Sequence, residues 1–139
     1  MENIYTAEAL ATGGGRDGHV RTTDGLVDTD LALPKAMGGS EKAPNPELFF
    51  AAGYAACFHG ALQLVAKNEG TSIDGSSVGT RVSLGKNAEG FALAVEIEVH
   101  IPEMTLDEAQ KLADTAHTVC PYSRATKGNI EVTVTAVED

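Results

Sequence analysis

The stretch L-F-F-A-A-G-Y-A-A-C-F-H-G-A-L-Q-L-V-A, Leu48–Ala66, carries no formal charge at neutral pH and decides how the rest of the chain is read. It is nearly as long as the roughly 20 apolar residues that span a bilayer. Gly53, Gly60, His59, Gln63 and many alanines nevertheless make it poor membrane material, and it lacks the basic clusters and aromatic belts that anchor a spanning helix at its two ends. A buried helix, covered by sheet or by a partner subunit, accounts for the same run. Asn45 reads as its N-cap and Pro46 as its first helical residue, with an end near Asn68 and Gly70 as the stop signal.

Upstream, Ile4–Thr12, His19–Thr23 and Leu26–Leu33 read as strands joined by the turns T-G-G-G-R-D-G and T-D-G. Gly13, Gly15 and Gly18 satisfy the dinucleotide pattern G-x-G-x-x-G, but that motif must open a helix, whereas H-V-R-T-T-D-G follows. The fingerprint is rejected. Downstream, Ser76–Leu84 and Phe91–Ile101 form a hairpin around G-K-N-A-E-G, the second strand alternating as V-E-I-E-V. T-L-D-E at 105–108 is a capping box for a second helix with Ala109, Leu112, Ala113 and Ala116 on one stripe, stopped by Pro121. Ile130–Val137 alternates again as a strand.

The expected class is α+β: two β-sheets wrapped around central helices in an interlocked homodimer, built from one domain over residues 1–139. At 139 residues the chain can bury roughly two-thirds of its unfolded surface. A net charge of -10 with no Lys/Arg cluster argues against nucleic-acid binding, and the start M-E-N-I-Y-T-A-E-A-L lacks the features of a secretory signal. A cytoplasmic protein is expected.

Cys57 and Cys120 are the only cysteines. With His59 and His117 they contain the makings of a metal site, but helix positions two apart diverge by about 200°, so Cys57 and His59 cannot face one ion. Taken alone, Cys57 reads as a small core residue. Cys120, in C-P-Y-S at a helix end, makes an attacking and resolving thiol pair conceivable. An attacking thiol must ionise, and burial opposes that unless a cation or helix N-terminus compensates. Arg16, in the glycine-rich turn, is the candidate cation, although most turn arginines are simply solvated. Glu47 could hold it by a bidentate pair or merely complement the helix dipole. Continuous helix would separate Glu47 from Cys57 by about 15 Å. Either a helix break near Gly53 or delivery of Arg16 and Glu47 from a partner subunit would resolve this.

N-P-E-L-F-F-A-A-G-Y-A-A-C-F at 45–58 and V-C-P-Y-S-R-A-T-K-G-N at 119–129 closely resemble the organic hydroperoxide resistance proteins of the osmotically induced (OsmC) superfamily. G-G-R-D-G at 14–18, D-G-L at 24–26 and M-G-G at 37–39 extend the resemblance over essentially the whole chain. It implies a thiol peroxidase, free of metal and other cofactors, that reduces organic hydroperoxides to alcohols and is recycled by a dithiol such as a lipoylated protein. Residue by residue, it implies Cys57 as the attacking thiolate, Cys120 as the resolving thiol, Arg16 as the activating cation and Glu47 as its orienting partner. Phe49, Phe50, Phe58 and Tyr122 are candidates to line the apolar site, each more often a core residue when taken singly. His59 and His117 receive no catalytic role. The rival reading is a dimeric module that binds an apolar ligand or a lipoyl arm, with inert cysteines; a zinc protein is a third.

Overall fold

The structure, a computed structural model, describes residues 1–138. Its elements are β1 (Ala9–Thr12), β2 (His19–Thr22), β3 (Asp28–Asp30), α1 (Pro46–Asn68), β4 (Ser77–Asn87), β5 (Gly90–His100), α2 (Leu106–Val119), α3 (Pro121–Thr126) and β6 (Glu131–Ala136). The strands make two three-stranded sheets, ordered β1-β2-β3 and β4-β5-β6, and the class is α+β as expected. Two compact units are present, Met1–Phe49 and a second from Phe50 onward, with α1 running through their boundary.

The first unit holds the antiparallel meander, paired from Ala9↔Thr22 to Thr12↔His19 and from His19↔Asp30 to Arg21↔Asp28. Its strands are shorter than the sequence pattern suggests. Asp24 accepts hydrogen bonds from Thr22 Oγ1 and Leu26 N, and Thr22 N donates to the Val27 carbonyl at 2.8 Å, so the turn closes directly after Thr22. Residues 4–8 therefore have almost no strand opposite them. Between β1 and β2 the chain makes one 3-10 turn, Gly15–Asp17, in which Gly15 has φ +69° and a Cβ on Gly18 would stand 2.3 Å from the Thr12 carbonyl oxygen. The glycines serve this tight turn, and a strand follows it.

In the second unit β4 and β5 pair from Ser77↔His100 to Asn87↔Gly90, which reduces the hairpin loop to Ala88 and Glu89. Val95, Ile97 and Val99 point into the core, while Arg81 reaches Glu96 and Glu98 on the outer face at 3.1 and 3.5 Å. β6 lies parallel to β5, from Ala94↔Glu131 to Val99↔Ala136, a pairing that requires a crossover, here α2 and α3. The Gln110 side chain donates to the Val134 carbonyl at 2.9 Å and accepts from Ala136 N at 2.7 Å, so α2 completes the free edge of β6.

Asn45 Oδ1 accepts from Leu48 N at 3.0 Å, which caps α1 as its sequence predicts. By length and composition α1 is able to cross a membrane. Here its stripe Tyr54, Phe58, Ala61, Leu62, Val65 and Ala66 forms the core with β5 and with Leu112, Ala113, Ala116 and Cys120. The break considered near Gly53 does not occur, because α1 is helical throughout Pro46–Asn68. Gly53 answers to packing, since a Cβ there would come within 3.3 Å of the Tyr122 ring. Thr105 and Glu108 form the expected capping box. Pro121 ends α2 but also begins α3, as its preset φ suits a first helical position.

Candidate functional site

In the first unit the 3-10 turn presents Arg16, and the first turn of α1 presents Glu47. The guanidinium donates two parallel hydrogen bonds, Nη1 to Oε2 at 2.8 Å and Nη2 to Oε1 at 2.7 Å. This is the fork geometry in which arginine is strongest. The arginine side chain is 41% exposed and the glutamate side chain 16%, so the anion is the more enclosed partner. Arg16 holds the Glu47 carboxyl below its usual range, against the opposing effect of burial.

In the second unit Cys57, on α1, and Cys120, at the joint of α2 and α3, bring their sulfurs to 3.4 Å. Neither forms a disulfide; Cys120 is fully buried and Cys57 half-buried. Burial pushes the Cys57 thiol above its ordinary range, the Tyr122 backbone N–H opposes this, and the adjoining Cys120 thiol adds to the rise. Two sulfurs at this distance, one of them accessible, can undergo thiol–disulfide chemistry without rearrangement of the backbone that carries them.

Phe50, Tyr54 and Cys57 follow one stripe of α1 at spacings of four and three. Phe50 packs on Tyr54 at 5.9 Å between ring centroids, and Tyr122 closes the cluster at 6.4 Å from Phe50 and 5.8 Å from Tyr54. Tyr122 is 43% exposed and Phe49 is also exposed, so they offer apolar surface, as the half-buried Phe50 does in part. Phe58 does not. It is fully enclosed in the core, 6.3 Å from the His117 ring, and the substrate-facing role expected of it is corrected to core packing.

The histidines of the sequence motifs are bonded to serines. His59 Nε2 meets Ser76 Oγ at 2.9 Å, and His117 Nδ1 meets Ser123 Oγ at 2.7 Å. Among the described residues no group of three or more His, Cys, Asp or Glu side chains is arranged to hold a metal ion. Reading the sequence alone missed the buried Tyr54–Ser123–Thr126 hydrogen bonds beside the thiols, whose partners lie far apart in the chain and share no local spacing.

Residues 39–135 match the family model described as OsmC-like protein. The organic hydroperoxide resistance protein of Xanthomonas axonopodis pv. citri is 46% identical over 134 residues, covering 95% of this chain and 94% of that protein. Organic hydroperoxide resistance protein OhrB of Bacillus subtilis is 44% identical over 131 residues, covering 93% and 95%. A crystal structure of an organic hydroperoxide resistance protein from Elizabethkingia anophelis, with thiocyanate bound, superposes with a TM-score of 0.93 at 45% identity, covering 100% of both chains. With its fold, its length and its sequence all shared with these proteins, the chain belongs to the OsmC-like family and, within it, to the organic hydroperoxide resistance proteins.

Proposed function

We propose that the chain is a cysteine-based peroxidase that reduces organic hydroperoxides to alcohols and is recycled by a dithiol. Its membership of a redox family named for organic hydroperoxide resistance supports the reaction class. The observation that carries the mechanism is the pair of free thiols at 3.4 Å.

In this reading the Cys57 thiolate attacks the peroxide oxygen remote from the organic group. The O–O bond breaks, the alkoxide leaves and takes up a proton as the alcohol, and Cys57 becomes a sulfenic acid. The Cys120 sulfur then attacks Cys57, the S–O bond breaks, and water carries away the hydroxyl and the thiol proton as the disulfide forms. A dithiol reductant, such as a lipoylated protein, opens this disulfide at the more accessible Cys57 sulfur and closes its own. Arg16, fixed by Glu47, acts as the cation that favours the thiolate and the charge developing on the departing oxygen. Phe49, Phe50 and Tyr122 receive the organic tail.

The reading includes a homodimer whose two units per chain act as one domain, at work in the cytoplasm. Leu10, Leu26 and Leu64 are exposed apolar side chains suited to cover by a second copy.

Peroxide consumption with dihydrolipoamide as the electron donor tests the proposal. An organic hydroperoxide is expected to be consumed much faster than hydrogen peroxide, and Cys57→Ser to abolish consumption. Without reductant, Cys120→Ser should use one equivalent of peroxide and stop at a trappable sulfenic acid. Preference for hydrogen peroxide, or full turnover by Cys57→Ser, would overturn the reading.

A further inference from the structure

Four hydrogen bonds in the second unit run through all three helices. His117 Nδ1 lies 2.7 Å from Ser123 Oγ, which lies 2.9 Å from Tyr54 Oη; that oxygen lies 3.2 Å from Thr126 Oγ1, which donates to the Ser123 carbonyl at 3.1 Å. Tyr54, Ser123 and Thr126 are buried, so the four bonds must be made from the protons of these side chains themselves.

Counting those protons fixes every direction. A carbonyl only accepts, so the single Thr126 hydroxyl proton goes to the Ser123 carbonyl. The bond between Tyr54 and Thr126 then uses the tyrosine proton, and the bond between Ser123 and Tyr54 uses the serine proton. Nothing remains for the bond between His117 and Ser123 except a hydrogen on Nδ1. Burial lowers the titration of His117, outweighing an upward pull from Asp114, which favours the neutral ring, and in a neutral ring with its hydrogen on Nδ1 the other nitrogen, Nε2, carries none. Among the described residues no buried side-chain nitrogen or oxygen lacks a partner, so the unpartnered Nε2 reaches solvent.

The positions of these residues give the chain of bonds its meaning. Cys120 is the joint, with φ -57° and ψ 123°, where α2 ends and α3 begins. His117 stands one turn before that joint, and Ser123 and Thr126 follow it on α3. Tyr54 stands one turn before Cys57 on α1.

We propose that His117, as its Nδ1–H tautomer, is a positioning residue for the resolving step: through Ser123 and Tyr54 it clamps both arms of the Cys120 joint to the helix that carries Cys57. The proposal rests on the peroxidase reading above and concerns the condensation in which the S–S bond replaces the sulfenic S–O bond. That step depends on the approach of the buried Cys120 sulfur to the half-buried Cys57, whereas peroxide attack on Cys57 does not involve Cys120.

Two rates separate the steps. Oxidation of Cys57 is followed by sulfenic-acid trapping in a Cys120→Ser background, and disulfide formation by loss of free thiols after one equivalent of cumene hydroperoxide. His117→Leu is expected to slow disulfide formation about tenfold, the effect of losing one buried hydrogen bond, and Tyr54→Phe, which loses two, at least as much, while both leave Cys57 oxidation unchanged. His117→Asn, whose amide N–H can stand where Nδ1–H stood, restores most of the rate. Nitrogen-15 NMR of the unaltered protein should show His117 with its hydrogen on Nδ1. An Nε2–H tautomer, equal slowing of both steps, or no slowing of either would overturn the proposal. If the unaltered protein forms no Cys57–Cys120 disulfide with peroxide, the peroxidase reading fails, and the tautomer still decides the hydrogen-bond chain on its own.

Discussion

Cys57 Sγ and Cys120 Sγ stand 3.4 Å apart, although 63 positions separate them in the chain. A disulfide bond is about 2.05 Å long, so the pair is within a small side-chain movement of bonding. The same closeness has an electrostatic consequence: the Cys120 thiol makes it harder for Cys57 to ionise.

The first prediction concerns that coupling. Burial raises the Cys57 thiol, the Tyr122 N–H opposes the rise, and Cys120 adds to it. Removing Cys120 should therefore lower the Cys57 midpoint. Iodoacetamide alkylation of Cys57, followed by mass spectrometry across pH, should show its midpoint at lower pH in Cys120→Ala than in the parent. The folded thiol holds its proton more tightly than the unfolded one. Its stabilising contribution is thus full below the ordinary thiol pKa of about 8.5 and is lost as pH rises through the folded value. An unchanged or higher midpoint in Cys120→Ala would show that the second sulfur does not act on the first.

A second prediction addresses Arg16 and Glu47. Arg16→Lys keeps the charge but loses the fork, and Glu47→Gln keeps the shape but loses the anion. Each should slow peroxide consumption roughly tenfold, in line with loss of a charge-assisted hydrogen bond. Neither should change urea stability by more than about 1 kcal/mol, because the arginine is substantially solvated. Glu47 is held below its usual range, so the stability it contributes is present above the unfolded carboxylate pKa of about 4.3 and is lost only as pH falls through the lower folded value. Carbon-13 NMR of the Glu47 carboxyl should show this depression, and Arg16→Ala should abolish it. If Arg16→Ala loses folding and peroxide attack together, Arg16 is a structural residue.

Much of this arrangement was legible because it rests on local signals. The uncharged run with Asn45 and Pro46 at its head announced α1, Thr105 and Glu108 announced the start of α2, and V-E-I-E-V announced the half-buried β5. Strand lengths were less legible, because they depend on the partner. β1 is short because the turn after Thr22 leaves residues 4–8 nearly unpaired, and β4 extends through Gly85 and Lys86 because β5 is there to meet it. Cys57 and Cys120 stood out as a conceivable thiol pair from C-P-Y-S at a helix end, but no short-range pattern links them, and it was the family resemblance that implied their separate roles. The Tyr54–Ser123 bond, across 69 positions, had no such signal, and Tyr54 read as one more apolar residue of α1.

The third prediction compares two glycines of α1. Replacing glycine by alanine inside a helix favours folding by roughly 1 kcal/mol, provided the new methyl group has room. At Gly60 nothing lies within 4 Å of the added Cβ, whereas at Gly53 the Cβ would meet Tyr122 Cε2 and Oη at 3.3 Å. The Tyr122 ring can move, because it ends a rotatable side chain and is partly exposed, but moving it disturbs its packing on Phe50 and Tyr54. Gly60→Ala is therefore expected to raise the thermal midpoint by about 2–4 °C, and Gly53→Ala by less. Gly53→Ala should also shift the alkylation rate of Cys57, because it presses on the residue whose N–H acts on that sulfur. Thermal unfolding and alkylation of both variants provide the check. The reverse order of stability would mean that something outside this chain fills the space beside Gly60.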